Sequence, residues 1–313
     1  MSAALEEKPK NDMDDVEERS RRRLAGPLSR LYVAPWWLIF LIFLWVYLVV
    51  QIANSEEFSR IYEELSEGIS LTLFLSVTAY FFAIVFGLLL GIIRANAPRP
   101  PEHGMRITQV AGRIMHTAVY NFATMFVEFM RGIPPLVFLL ISGFILVPAL
   151  RNNINDGLVP WLRELMNNPD LPELVWRGRD NGTAIAGLSL IYSAFLSEVF
   201  RAGIQSVDKG QIEAAKSLGM SYFQVLRYIV IPQAVRRMLP PLGNDFISMI
   251  KDTSLVTVLG INEITQLARK WSGSTFLYVE TYAVLSMIYL TLTITGSMLV
   301  QLMERHLHRN END

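Results

Sequence analysis

Glu213-Ala214-Ala215-Lys216-Ser217-Leu218-Gly219, running on to Ile229-Val230-Ile231-Pro232, is a polar, helix-forming stretch between two strongly apolar segments. Asp208-Lys209-Gly210-Gln211 opens it with the acid-x-x-Gln spacing of a capping box, which satisfies two orphan amides at a helix start. Gln211 to Leu218 has room for two helical turns. Gly219 suits the left-handed residue that stops such a helix, because it carries no Cβ. Ser221 and Gln224 repeat the capping-box spacing and predict a second short helix over Tyr222 to Tyr228. Pro232 has no amide and crowds the turn before it, so the chain is expected to bend there. The stretch reads as a helix–glycine–helix elbow. The small Ala214 and Ala215 would let another protein's surface come close to its backbone.

The sequence around the elbow sets the class. Of 313 residues, 51% are hydrophobic and 18% charged, with a net charge of −1. The charges are segregated along the chain, and no basic excess points to a nucleic-acid partner. There is no cysteine, hence no disulfide framework or cysteine metal site. His103, His116, His306 and His308 form no metal-ligand pattern.

Apolar runs predict six membrane spans: 36–53, 69–93, 115–147, 183–200, 233–259 and 276–303. At about 1.5 Å per residue each reaches across most or all of a bilayer core. Arg19, Arg21, Arg22, Arg23 and Arg30 precede the first span, Arg94, Arg99, Arg106 and Arg113 follow the second, and Arg305 and Arg309 follow the last. This places both termini and the elbow on the cytoplasmic side. The fold class is therefore an all-α integral membrane protein. Gly87 and Gly91, one turn apart, predict a close helix contact. The third span is expected to break at Arg131-Gly132-Ile133-Pro134-Pro135. Residues 54–68, 151–180 and 262–274 are read as outer loops, with a short interfacial helix over Trp161–Met166.

The elbow resembles the signature loop of permease subunits of ATP-binding-cassette importers: Glu-Ala-Ala, three residues, Gly, nine residues, Ile-x-Leu-Pro. Ile231 stands where Leu is usual. The run from Tyr120 through Glu128 to Arg131-Gly132-Ile133-Pro134, the run Ser193–Gln205 with Glu198 and Arg201, and Lys251-Asp252-Thr253-Ser254-Leu255 resemble the polar amino-acid branch of that family (the histidine/glutamine/glutamate type). Ile133, Pro135, Phe138, Phe195 and Ala202 depart from the branch pattern. The resemblance covers roughly 69–306. It implies a permease domain of five helices over 69–306 with a coupling loop at 208–232, preceded by a polar arm (1–35) and an additional helix (36–53), and followed by a tail (307–313).

The resemblance implies a transmembrane subunit that moves polar amino acids across the bacterial cytoplasmic membrane and is no enzyme itself. The chain has no Walker A pattern, so ATP and magnesium would belong to a partner ATPase dimer. Glu213, Ala214, Ala215, Gly219 and Pro232 would couple to that ATPase. A second permease subunit, identical or paralogous, an extracytoplasmic substrate-binding protein and the lipid bilayer complete the expected partners. Glu128, Arg131, Lys251, Asp252, Thr253 and Ser254 are candidates for the substrate path, since ionisable groups at membrane depth seldom face lipid. The alternative is that Lys251 and Asp252 pair with charges such as Glu128 or Arg131 and only hold the bundle. Glu198 and Arg201, three apart, are read as a local ion pair. An ion-coupled secondary transporter, or a polytopic membrane enzyme, are the competing functional classes. The first calls for inverted repeats, and none is visible. The second calls for a pattern such as His-Glu-x-x-His, and it is absent.

Overall fold

A computed structural model describes residues 36–98, 100 and 106–309. The expected polar arm over 1–35, His103 and the last residues of the tail lie outside that range. Among the described residues every regular element is helical. The chain divides after Asn54 into two units. In the first, helix α1 (Trp36–Asn54) follows the apolar run as predicted. Its 19 residues extend about 28 Å.

The second unit opens with α2 (Glu56–Ala95), a 40-residue helix. The acidic run read as an outer loop is thus its first turns. Ile61 and Leu65, one turn apart, are fully buried and pack with Ile264, Ala268 and Val284, which holds the polar segment helical. Helix α3 (Ile107–Gly132) ends at Ile133, which is extended because the residue before a proline disfavours helical geometry. The predicted break is there, yet the apolar helix lies beyond it. Helix α4 (Pro135–Leu165) runs 31 residues and absorbs half of the expected outer segment, including most of the predicted interfacial helix. The remainder is pinned: Arg163 donates to the Leu171 carbonyl, and Asn155 exchanges two hydrogen bonds with the Leu174 backbone. Asp180 then caps α5 (Asn181–Gln205) by accepting from the Thr183 amide at 2.9 Å.

The elbow comprises α6 (Lys209–Ser217) and α7 (Tyr222–Val225). Helix α8 (Ile231–Asp252) follows, then a 3-10 turn over Thr253–Leu259. Gly260, at φ +75°, stops that turn. Helix α9 (Ile264–Thr275) replaces the loop expected there, and α10 (Tyr278–Arg309) ends the described chain. Glu263, fully buried, caps α9 by accepting from the Thr265 and Gln266 amides, and Tyr289 of α10 donates to the same oxygen as Thr265.

The helix does not stop at Pro232. A wide π-type turn over Leu226–Val230 joins α7 to α8, and the helix continues. The same device recurs in α4, where π-type turns at Ser142–Leu146 and Ile154–Leu158 each end two residues before Pro148 and Pro160. Widening the turn draws the carbonyl four residues back away from the proline ring, so the helix survives the missing amide.

Helices α2 and α5 form the centre of the main core. A Cβ on Gly87 would sit 2.9 Å from the Leu196 Cβ, and one on Gly91 2.6 Å from the Phe200 Cβ. Ser189 of α5 donates to the Ala79 carbonyl of α2 at 3.1 Å. Among the described residues four helices are long and apolar enough to cross a membrane: α2, α4, α5 and α10. Helix α1 is apolar over its 19 residues, and α8, read as the fifth span, carries Arg236, Arg237, Asp245, Lys251 and Asp252.

Candidate functional site

The elbow is built as its caps predict, with two corrections. Asp208 accepts from the Gly210 and Gln211 amides, but Gln211 turns away to accept from Gln233, so the first cap is one-sided. The second capping box is complete, with Ser221 and Gln224 bonded in both directions. Gly219 has φ +81°. The Met220 amide reaches back to the Ala215 carbonyl and the Gly219 amide to Lys216, which is the Schellman arrangement.

Ala214 is exposed, but Ala215 is buried among Val225 and Val230 and holds the two halves of the elbow together. The surface is instead made by Leu218, Tyr222, Phe223 and Tyr228, of which Leu218 is 84% and Phe223 74% exposed. Glu213, Gly219 and Pro232 are exposed beside them. Large apolar residues in a polar stretch were the signal in the sequence for this exposed apolar face.

The run Lys251-Asp252-Thr253-Ser254 lies where α8 tightens into the 3-10 turn. Thr253 donates to the Ile250 carbonyl at 2.6 Å, satisfying a group at the change of pitch. Asp252 accepts from the Tyr192 hydroxyl of α5 at 2.7 Å. Lys251 is exposed and has no ion-pair partner among the described residues. The backbone stays helical, so the two charges keep separate directions. Arg237, Asn244 and Lys251, seven residues apart, form one exposed polar stripe along α8. Asn244 and Tyr192 were not singled out in the sequence.

Glu128 and Arg131 do not pair with this run. They join Arg94 of α2 around Glu198 of α5, which is six residues, about 9 Å, along the helix from Tyr192. Arg94 donates to Glu198 at 2.6 Å and to Glu128 at 3.3 Å; Arg131 donates to Glu198 at 3.4 Å. Arg201 holds the second oxygen of Glu198 at 2.6 Å. The expected local pair exists, but it belongs to a network across three helices, and the expected pairing of Lys251 or Asp252 with Glu128 or Arg131 is not found. Among the described residues no group of three or more metal-ligating side chains occurs.

Residues 104–309 match the family described as "Binding-protein-dependent transport system inner membrane component". The probable amino-acid permease protein YxeN of Bacillus subtilis is 33% identical over 241 residues, covering 77% of this chain and 90% of that protein. The glutamine transport system permease protein GlnP of Escherichia coli is 28% identical over 243 residues, covering 78% and 92%. Among solved structures, that of an amino acid ABC transporter with histidines superposes with a TM-score of 0.57 at 30% identity, covering 78% of this chain and 94% of that one. The inward-facing MetNI methionine ABC transporter superposes with a TM-score of 0.55 at 16% identity, covering 78% and 96%, and shares the fold.

Proposed function

The chain belongs to the family of binding-protein-dependent transport system inner membrane components, and on that premise we propose that it is the permease subunit of an ATP-driven importer for polar amino acids. The elbow carries this reading. It is a rigid, capped projection whose exposed Leu218, Tyr222 and Phe223 suit insertion into a partner's groove. The partner would be a separate ATPase dimer that supplies ATP and magnesium. Amino acids as cargo are supported by relatives whose names carry amino-acid or glutamine transport. A second permease subunit closes the path, since one chain makes one wall. A substrate-binding protein delivers cargo from outside.

The exposed stripe Arg237–Asn244–Lys251 faces the path, with Asp252 and Tyr192 at its side. A free ammonium on a bundle surface at membrane depth is tolerated against water or cargo and not against lipid. Thr253 and Ser254 hold the backbone of that site, with Lys251 suited to a carboxylate and Asp252 to an ammonium. The test is to co-purify the chain with its ATPase and measure uptake of radiolabelled glutamine, glutamate and histidine. Lys251→Met and Asp252→Asn are each expected to raise the half-saturating concentration about tenfold, as loss of one charge-assisted hydrogen bond does, at normal protein level. Loss of abundance alone, or reduced transport at unchanged affinity, rejects the path assignment.

The Lys and Arg distribution supports an elbow in the cytoplasm and residues 168–180 outside. Cysteines at Ser217 and Asn168 are expected to react with a membrane-impermeant maleimide from opposite faces. Reaction from one face rejects that orientation.

A further inference from the structure

We infer that Glu198 is the joint through which motion of the elbow reaches helix α3, and hence α4, making it a positioning residue for transport that lies outside both the elbow and the path run. The inference rests on the importer reading above.

The elbow hangs from the end of α5, and that end is tied on three sides. Toward α2 the tie is rigid, because a Cβ at Gly87 or Gly91 finds no room against α5. Toward α8 it is close through side chains: a Cβ on Gly203 would fall 2.2 Å from the Met238 Cγ, and Arg237 donates to the Ser206 carbonyl. Side chains extend the tie. Glu198 binds Arg201 through two nitrogens, Arg201 donates onward to Gln205 at 2.9 Å, and Gln205 donates to the Ala95 carbonyl at the end of α2. Helices α2, α5 and α8 therefore move as one body with the base of the elbow.

Helix α3 is held differently. Its buried contribution is small, Ala123, Val127 and Met130. Among the described residues its ion pairs to α2 and α5 are two long contacts, Arg131 to Glu198 at 3.4 Å and Glu128 to Arg94 at 3.3 Å, from side chains 41% and 61% exposed. These are separable, whereas Arg94–Glu198 at 2.6 Å, with Arg94 only 8% exposed, is not. Glu198 sits at the change from one kind of attachment to the other. One of its oxygens receives both the fixed Arg94 and the separable Arg131. Beyond Arg131 the chain breaks at Ile133-Pro134, so a shift of the α3 end is delivered to the start of α4.

A carboxylate is needed because both oxygens accept from arginines. The isosteric amide in Glu198→Gln keeps the volume, but it can turn only one oxygen to them, and its NH2 faces a cation. Spatial intermediacy alone does not establish coupling, so the test measures it. The permease is assembled with its ATPase and binding protein in proteoliposomes, with radiolabelled glutamine, glutamate and histidine as probes. Uptake per ATP hydrolysed is read beside protein level. Glu198→Gln is expected to lower uptake per ATP about tenfold, within the usual range of coupling between sites, at unchanged half-saturating concentration and with the ATPase still bound. Gln205→Leu, at an exposed position that should fold normally, is expected to lower the same ratio to a lesser extent. The double variant should be no worse than Glu198→Gln alone. An unchanged ratio in Glu198→Gln, a fall explained entirely by abundance, or losses that multiply independently overturn the inference. If the unaltered complex neither binds an ATPase nor takes up any probe, the importer reading itself fails.

Discussion

Gly91→Ala is expected to deplete the folded protein from the membrane. The added methyl would lie 2.6 Å from the Phe200 Cβ and 3.0 Å from the Ser197 carbonyl oxygen. Neither neighbour is the free end of a flexible chain, so α2 and α5 must part along the most buried contact of the fold. Overpacking of that kind costs about 3 kcal/mol, a large share of a typical total near 5–15 kcal/mol. Gly112→Ala on α3, where no heavy atom lies within 4 Å of the new methyl, is the matched control. Thermal denaturation in detergent, followed by loss of monodisperse protein, checks both. Equal stability of the two variants would show that α2 and α5 are not packed backbone to backbone.

The second large effect is expected at Gly219, and there function is lost while the fold stays. At φ +81° a β-branched side chain is strained, by about 1–2 kcal/mol for the left-handed region. Nothing lies within 4 Å of the added Cβ, so no clash contributes. Relief comes by opening the Schellman turn, which moves Leu218 away from Tyr222 and Phe223. Gly219→Val should therefore weaken co-purification with the ATPase about tenfold, the equivalent of 1.4 kcal/mol, with little change in melting of the bundle. Gly219→Asn, a residue that tolerates this geometry, should keep most of the association. Equal binding by the valine variant would remove the elbow from the docking surface. Glu213→Lys, an exposed reversal of charge on α6, tests the same face independently of the backbone.

Much of this architecture was legible in residue spacing. The elbow could be read because caps and a C-terminal glycine are local devices: Ser221 and Gln224, or Gly219, act on backbone groups within a few residues. The proline break at Ile133-Pro134 is local in the same sense. Gly87 and Gly91 announced a close contact, though not its partner. The readings that failed were those in which a distant surface overrode local polarity. Residues 56–68 look like a loop because of their glutamates, yet Ile61 and Leu65 find Ile264 and Ala268 some two hundred residues later. The segment 262–274 was likewise taken for a loop, yet 264–275 is a helix, capped by the buried Glu263 and packed through Ile264 and Ala268. Pro232 was expected to bend the chain between two segments, and the π-type turn before it lets one helix run on through the proline.

By itself, then, the sequence determined an all-α membrane chain and the elbow with its left-handed glycine. These follow from hydropathy and from interactions short along the chain. Only the tertiary structure decided which charges meet. Spacing placed Glu198 beside Arg201, but it could not show that Arg94 from α2 and Arg131 from α3 converge on the same carboxylate, nor that Asp252 is held by Tyr192 and leaves Lys251 free. Partner choice among charges on different helices depends on how whole helices pack and rotate, and one chain's local pattern does not encode that rotation.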